Sequence, residues 1–204
     1  VTGGAGFIGS HLTDDLVELG EVIVIDNLKT GKRENVNPSA KFYELDITDF
    51  EKIRPFFTGV DGVFHLAAIP RVPVSVEDPA GTNEVNVGGL VNVFKAASDA
   101  DVKRVVFSSS SSVYGEQTVF PLKETLPPNP QSPYGLQKYV GELYGRLFSS
   151  PLYNLPVVSL RYFNVYGPRI DFESDYSLVL GKFLRFKKEG KPLTIYGDGQ
   201  YERA

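Results

Sequence analysis

The chain has 204 residues, of which 42% are hydrophobic and 23% charged, and its formal net charge is −4 at pH 7. Such a composition is typical of a soluble globular protein, and the negative charge argues against nucleic acid or an anionic membrane as a partner. The absence of cysteine excludes disulfides and thiolate chemistry and favours a reducing cytoplasm. Two histidines are too few for a typical catalytic zinc site, so we predict no metal.

The two ends of the sequence indicate a piece of a longer protein. There is no methionine, and the chain opens two residues before Gly3. Because a strand normally runs about 5–6 residues, we expect the first strand to be truncated. The last ten residues, IYGDGQYERA, stop without a terminating element. We therefore expect a fragment that is cut at both ends.

Short apolar runs alternate with helix-length amphipathic segments along the chain. In order, the main segments are IGSHLTDDLVEL (helix), EVIVID and DGVFHLAA (strands), TNEVNVGGLVNVFKAASDA (helix), KRVVFSS (strand), YGLQKYVGELYGRLF (helix) and LPVVSLR (strand). This alternation predicts βαβ units, and strands that are apolar throughout indicate a parallel sheet covered on both faces. Near Asp171 the rhythm changes, with a predicted helix in DYSLVLGKFLRFKKEG and a short strand in KPLTIY. We predict a doubly wound α/β domain over residues 1–170 and the start of a smaller substrate-binding region over residues 171–204.

The segment VTGGAGFIGSHL carries glycines at positions 3, 6 and 9, between the stub of a strand and a helix. In that context glycine lets backbone N–H groups approach a pyrophosphate at the helix N-terminus. Asp26 ends the run EVIVID, 17 residues after Gly9, where its carboxylate can accept both ribose hydroxyls of NAD. The basic segment KTGKR just beyond would favour NADP, but a charge run is usually a solvated surface. We therefore predict NAD.

The segment SPYGLQK places Tyr134 and Lys138 four positions apart, on one face of a helix. A nearby ammonium and a cationic nicotinamide would lower the pKa of a tyrosine and allow it to act as a base. The five serines Ser108–Ser112 follow the strand KRVVFSS, at the edge where open α/β sheets bind ligands. A serine there can hydrogen-bond a substrate oxygen while the tyrosine takes its proton. The run therefore predicts the rim of an active site rather than a linker.

Nine segments, taken in order, resemble the extended short-chain dehydrogenases that act on nucleotide sugars. They are TGGAGFIGSHL, DNLKTG, LDI, FHLAA, NVGGL, SSSSSVYG, SPYGLQK, LRYFNVYGPR and TIYGDG. The closest resemblance is to the UDP-glucose 4-epimerases and their N-acetylated relatives. It implies a Rossmann fold that binds NAD, a UDP-sugar substrate, a homodimer, and inversion of C4 of a UDP-hexose through a transient 4-keto sugar.

The resemblance also implies roles for individual residues. The catalytic residues would be Ser110, Tyr134 and Lys138. The NAD-binding residues would be Gly3, Gly6, Phe7, Ile8, Gly9, Asp26, Asn27, Thr30, Gly31, Asp46, Ile47, Leu66, Ala67, Ala68, Asn86, Tyr134, Lys138 and Phe163. The substrate-binding residues would be Ser110, Tyr134, Asn164, Tyr196 and Arg203.

The sequence departs from the family pattern at a few positions. Gln137 stands where Ser or Thr is usual, Gly181 stands where Pro is usual, and YERA replaces a usual Thr-Arg-Asp around Arg203. Ser111 and Ser112 stand where related dehydratases carry an Asp–Glu pair and related decarboxylases keep a Glu. This difference favours an epimerase over a nucleotide-sugar 4,6-dehydratase or a UDP-glucuronate decarboxylase. A non-catalytic NAD-binding regulator is a further alternative, and the intact Ser–Tyr–Lys set argues against it.

Overall fold

The structure, a computed structural model, describes residues 1–170 and 179–193. Within these ranges strands alternate with helices, as the sequence predicts. The strands are β1 (Ile23–Asp26), β2 (Lys41–Glu44), β3 (Gly62–His65), β4 (Arg104–Ser110) and β5 (Val157–Tyr162). The α-helices are α1 (Phe7–Leu16), α2 (Phe50–Ile53), α3 (Val72–Glu77), α4 (Pro79–Asn83), α5 (Leu90–Asp99), α6 (Pro133–Phe148) and α7 (Val179–Lys188). Short 3-10 turns cover Arg33–Asn35, Arg54–Phe57 and Ser111–Val113, and Glu84–Gly89 is π-helical.

The strands form parallel pairs: β1 with β2, β3 with β4, and β4 with β5. Residues 1–3 join the two sets, because Thr2 forms parallel bridges to both Ile25 and His65. The order across the sheet is therefore β2, β1, residues 1–3, β3, β4, β5. This order confirms the predicted doubly wound sheet. It also puts the glycine-rich segment at mid-sheet, where the chain changes direction of winding and such folds bind their ligands.

Aromatic rings from three elements meet in the core. Phe94 of α5 packs edge-on against Phe107 of β4 and Phe148 of α6, with ring centroids 6.0 and 5.5 Å apart. In β1 the successive residues Val24 and Ile25 are both buried. Because successive side chains of a strand point to opposite faces, both faces of the sheet are covered there.

Helix α6 is positioned by its cap and by a close approach to the sheet. The helix begins at Pro133 because Ser132 caps it, its Oγ accepting a hydrogen bond from the N–H of Gly135 at 3.1 Å. A Cβ added at Gly141 would come within 2.7 Å of the Phe107 ring, so a larger residue would push the helix away from β4. The first two turns of α6 therefore lie beside the carboxyl end of β4.

The predicted substrate-binding region is described over residues 179–193. Its predicted helix is present as α7, Val179–Lys188. Most of the predicted strand KPLTIY lies outside the described residues, and the domain boundary near residue 170 stays a prediction. Within the described ranges, no helix is both long enough and apolar enough to span a membrane.

Candidate active site

An open cleft of about 960 Å³ lies at the carboxyl ends of the strands, at the upper end of the range of about 300–1,000 Å³ for small-molecule sites. A smaller pocket beside β1 and β2 shares Thr30 and Ala68 with it. The predicted site residues that line the cleft are Gly3, Gly6, Phe7, Ile8, Gly9, Thr30, Leu66, Ala68, Ser110, Tyr134, Lys138, Phe163 and Asn164. Those that line the smaller pocket are Asp26, Asn27, Thr30, Asp46, Ile47, Ala67 and Ala68.

Two of the described site residues, Gly31 and Asn86, are not part of these two linings. Gly31 packs against the glycine-rich loop, where an added Cβ would come within 2.8 Å of the Ala5 Cβ. Asn86 is buried behind the wall of the smaller pocket. Tyr196 and Arg203 lie outside the described residues, so their roles stay predictions.

The glycine-rich loop allows a very close approach of two backbone segments. Gly3 has φ of +75°, and a Cβ there would come within 2.5 Å of the backbone nitrogen of Ala67. The next element, α1, begins at Phe7, directly after this turn. Phe7, Ile8 and Gly9 therefore present the N-terminal turn of a ten-residue helix to the cleft. The partial positive charge of such a turn favours a phosphate group.

The carboxylate of Asp26 is held in place by the backbone. Its Oδ2 accepts a hydrogen bond from the N–H of Ala5 at 3.0 Å, and its Oδ1 accepts one from Leu28 at 2.9 Å. Each carboxylate oxygen has a second lone pair, so the side chain can still accept the two hydroxyls of a ribose. The geometry therefore fits the predicted NAD site.

Two lysines of the segment KTGKR are not part of a purely solvated surface. Lys29 lines the smaller pocket beside Asp26, and Lys32 lines the main cleft. Arg33 instead lies over the ring of Phe42, 4.0 Å from its centroid. All three basic side chains are nevertheless exposed, as the prediction of a solvated run requires, and the two lysines border the pockets from the solvent side.

The predicted catalytic residues come together at the end of β4. Ser110 and Tyr134 both line the cleft, and the Ser110 hydroxyl is close enough to lower the pKa of Tyr134. Lys138 donates from Nζ to the Ser108 carbonyl at 2.8 Å, and its Nζ lies 5.8 Å from the centre of the Tyr134 ring. Ser110 Oγ also accepts a hydrogen bond from the N–H of Ser112 at 3.1 Å. The serine run is therefore an ordered rim of the cleft, as the sequence predicts.

Burial changes the protonation chemistry of this cluster. Burial raises the pKa of Tyr134, and the nearby Ser110 hydroxyl opposes that rise only in part. Burial also lowers the pKa of Lys138 to about 7. The prediction that Lys138 lowers the tyrosine pKa is therefore wrong for the protein chain by itself, because the ammonium is itself destabilised by burial. The predicted contribution of a cationic nicotinamide stays a prediction.

A buried ion pair supports the catalytic helix, and the sequence analysis missed it. Glu142, one turn after Lys138, accepts hydrogen bonds from Nε and Nη2 of Arg161, both at 2.8 Å. Ser109, next to Ser110, donates to the same carboxylate at 2.6 Å. Burial alone would raise the pKa of Glu142, but the hydrogen bonds from Arg161 and Ser109 lower it overall. The spacing of four from Lys138 was the one signal in the sequence that could have pointed to Glu142.

The unusual Gln137 has specific partners in the structure. Its Oε1 accepts a hydrogen bond from Asn86 at 2.8 Å, and its Nε2 donates to Thr82 at 3.0 Å. Asn86 in turn accepts from the N–H of Ile69 at 2.7 Å and donates to the Ile69 carbonyl at 3.1 Å. Asn86 thus holds the pocket wall from behind, and its direct contact with NAD stays a prediction.

A serine, a tyrosine and a lysine that meet beside a glycine turn at the switch point of a parallel sheet are the arrangement of a short-chain dehydrogenase. Sequence comparison makes the assignment more specific. The NAD dependent epimerase/dehydratase family matches residues 1–204, and the chain belongs to this family. The resemblance seen in the sequence is thereby confirmed.

Several relatives carry more specific names. A UDP-glucose 4-epimerase from Lacticaseibacillus casei is 42% identical over 174 residues, which are 84% of this chain and 52% of that protein. The structure of a Thermotoga maritima UDP-glucose 4-epimerase with UDP-glucose is 43% identical, with a TM-score of 0.93 over 98% of this chain and 66% of that one. A Thermus thermophilus UDP-glucose 4-epimerase in complex with NAD is 42% identical, with a TM-score of 0.88 over 96% of this chain and 64% of that one. The chain thus spans between half and two thirds of the length of these relatives.

Proposed function

We propose that the whole protein is an NAD-dependent epimerase that inverts C4 of a UDP-hexose. The observation that carries this proposal is the cluster of Ser110, Tyr134 and Lys138 in the same cleft as the glycine-rich loop. The named relatives support it, since one of them binds NAD and another binds UDP-glucose.

The residues fit the cofactor that the family implies. The N-terminal turn of α1 would hold the pyrophosphate, Asp26 the adenosine ribose, and Lys138 the nicotinamide ribose. When bound, NAD accepts a hydride from the substrate and returns it. Because Gly3 has no side chain, the loop can pack directly against the backbone of Ala67, which leaves the space beside α1 open for the cofactor.

The catalytic cluster supplies the proton transfer. Tyr134 removes the proton of the sugar 4-OH while the neighbouring Ser110 hydroxyl holds the same oxygen. With NAD bound, hydride loss from C4 would leave a 4-keto sugar, and Tyr134 would return the proton to the C4 oxygen when the hydride comes back to the opposite face. Because burial raises the pKa of Tyr134 and Ser110 opposes that rise only in part, the phenolate would depend on the positive charge that bound NAD supplies.

The lining of the main cleft favours an epimerase over the related eliminating enzymes. A 4,6-dehydratase must take a proton from C5 and give one to the leaving C6 oxygen, which requires a further acid and base. Among the described residues that line the cleft there is no Asp or Glu. The nearest acid along the chain, Glu116, is exposed and is not part of this lining. Among these described residues the 4-keto sugar would find no acid–base pair for elimination, which favours its reduction instead.

The same proposal includes a homodimer formed through α6. Leu136, Leu143 and Leu147 are 52%, 42% and 44% exposed and lie on one face of this helix. A two-fold dimer uses the same patch on both partners, and a leucine face is self-complementary. Leu143→Glu should convert the dimer to a monomer in light-scattering measurements, and a wild-type monomer would contradict this part of the proposal.

The activity is tested by following the sugar products by NMR. Incubation of the full-length protein with UDP-glucose, or with its C4 epimer, should lead to the same ratio of the two from either side. A C6 methyl signal would identify a dehydratase instead, and CO₂ released from UDP-glucuronate would identify a decarboxylase. Binding of NAD without any turnover of UDP-sugars would favour the non-catalytic regulator.

A further inference from the structure

The loop after β5 crosses the site from one side of the sheet to the other. It leaves β5 at Tyr162, and its far end contacts α1, which follows residues 1–3 at mid-sheet. Strands β4 and β3 lie between these points in the sheet order. Since neighbouring strands are about 4.8 Å apart, residues 163–170 pass over about 14 Å of the ligand-binding edge. This loop, residues 163–170, is called the strap below.

One face of α1 holds the far end of the strap. Arg169 Nη1 forms an ion pair with Asp14 Oδ2 at 2.7 Å. His11 Nε2 donates a hydrogen bond to the Pro168 carbonyl at 3.0 Å. The residues His11 and Asp14 are three positions apart, so they lie on the same face of the helix.

Two further contacts complete this attachment. A Cβ placed on Gly167 would lie 3.6 Å from the Phe7 ring, so the strap runs directly beside the first residue of α1. Asp14 is itself oriented by Asn37, whose Nδ2 donates to Asp14 Oδ1 at 2.8 Å. The hydrogen bond from Asn37, and then the contacts with Arg169, lower the pKa of Asp14, so the carboxylate is charged at neutral pH.

The attached strap forms the outer wall of the cofactor cleft. Phe163, Asn164 and Val165 at its start and Arg169 at its far end line the cleft, and Phe7 lines it from α1. A ligand whose pyrophosphate lies at the N-terminus of α1 would be covered by this segment. Its release would require the strap to separate from α1.

From this geometry we infer that Asp14 and His11 are positioning residues that fasten the strap across the cleft and slow the release of NAD. The inference rests on the proposed binding of NAD. Slow release of NAD also fits the proposed reaction, because that reaction regenerates NAD in every cycle and does not require it to leave the site. Neither residue is assigned to the cofactor itself, since neither lines the cleft.

The strength of the attachment is modest. Both partners of the Arg169–Asp14 pair are about one third exposed, with side-chain exposures of 33% and 32%. Half-exposed ion pairs contribute little individually and are weakened by salt. Arg169 also adopts φ of +65°, which is uncommon for a residue other than glycine. The strap is therefore fastened reversibly, which allows the cofactor to enter.

The release rate of NADH tests this inference, measured by fluorescence while excess NAD displaces it from the full-length protein. Asp14→Asn should release NADH about two- to fivefold faster than wild type, the worth of a half-exposed ion pair. Asp15→Asn is the matched control, because Asp15 is the next residue of α1 and is exposed. It should release NADH at the wild-type rate. Added salt should accelerate release from wild type more than from Asp14→Asn, and thermal melts check that both variants are folded.

A double-mutant cycle with Arg169→Gln separates the strap from a direct contact between Arg169 and the cofactor. If Arg169 acts through Asp14, the double variant should release NADH no faster than Asp14→Asn. Fully additive effects, or equal release rates for wild type and Asp14→Asn, would overturn the inference. Wild type that fails to bind NADH would overturn the proposed function together with it. NADH binding without epimerisation would overturn the proposed function alone.

Discussion

The site has a cofactor end, around Asp26, and a catalytic end, around Tyr134 and Lys138. These two regions satisfy their buried polar groups in different ways. At the cofactor end, Asp26 is held by backbone N–H groups of Ala5 and Leu28, both close to it in the fold's first βαβ turn. At the catalytic end, the charge of Glu142 is matched by the side chain of Arg161. The first arrangement lies within one βαβ unit whose glycine and aspartate spacing is a recognisable pattern, whereas the second depends on how α6 packs against β5.

This difference determines how each end responds to substitution. A carboxylate held by the backbone can be removed without leaving another charge unpaired. A carboxylate held by a buried guanidinium cannot, because its removal leaves that cation without a partner in the interior. We therefore expect substitutions at the cofactor end to change binding, and those at the catalytic end to change turnover or folding.

The largest effect is expected at Tyr134. Tyr134→Phe removes the group that transfers the proton and should lower turnover about 10²–10⁴-fold, the usual contribution of a positioned acid–base group. NAD binding should be nearly unchanged, because the ring remains. Steady-state rates and an NAD titration on the full-length protein measure both quantities.

The matched control for that experiment is Tyr139→Phe. Tyr139 is on the same helix but does not line the cleft, so its loss should leave turnover unchanged. Near-normal turnover of Tyr134→Phe would show that the proton moves by another route and that the catalytic end is wrongly assigned.

The second effect concerns the folding of the catalytic end. Glu142→Ala leaves Arg161 without its partner and should lower the free energy of unfolding by about 3–5 kcal/mol, the usual cost of breaking a buried pair. Asp61→Ala removes the partner of Lys103 in a pair whose side chains are 83% and 79% exposed, and it should change the free energy of unfolding far less, because solvent screens exposed pairs. Urea denaturation measures both values. Equal losses in the two variants would remove the contrast between buried and exposed pairs.

The sequence predicted the cofactor end well because its geometry is local. The glycine spacing and the position of Asp26 are features of a single βαβ unit, and the structure brings them together in adjoining pockets. The spacing of Tyr134 and Lys138 was informative for the same reason, since one helix carries both. In each case the contacts depend on a few neighbouring turns.

The supports of the catalytic end could not be predicted in this way. The contact between Glu142 and Arg161 belongs to no recognisable sequence pattern and depends on how α6 packs against β5. Burial raises the pKa of Tyr134 in the protein chain by itself and is a property of the folded chain without a signal in the sequence, while the lowering expected with bound nicotinamide stays a prediction. Asn86 was assigned to the cofactor by resemblance, whereas its side chain is bonded to Ile69 and Gln137.

The third prediction tests the cofactor end through its choice of dinucleotide. The wild type should bind NAD more tightly than NADP, because the carboxylate of Asp26 accepts ribose hydroxyls and repels a 2′-phosphate. Asp26→Ala should lose about 1.5–3 kcal/mol of NAD affinity, the worth of charge-assisted hydrogen bonds. Lys29 and Lys32, which line the pockets, should then improve NADP binding in the variant. Calorimetric titration of the wild type and the variant with each cofactor measures these affinities. Equal affinities of the wild type for NAD and NADP would contradict the prediction.

The last prediction concerns Lys138 and the pH dependence of the free energy of unfolding, and its expected effect per pH unit is the smallest of the four. In the folded protein burial lowers the pKa of this lysine from 10.5 to about 7. Between these two values the unfolded chain holds a proton on Lys138 that the folded chain has released. The free energy of unfolding should therefore rise with pH across this window, by at most about 1.4 kcal/mol per pH unit for one proton.

Comparison of two variants isolates this contribution from other titrating groups. Lys138→Met removes the buried amine, so its stability should rise less steeply between pH 7 and 9 than that of the wild type. Lys95→Met replaces a half-exposed lysine of α5 and should keep the wild-type slope. Urea denaturation at pH 7, 8 and 9 gives the three slopes. If Lys138→Met kept the full slope, the lysine would be charged in the folded protein, and the catalytic end would hold its cation with solvent or backbone oxygens, as the cofactor end holds Asp26 with backbone N–H groups.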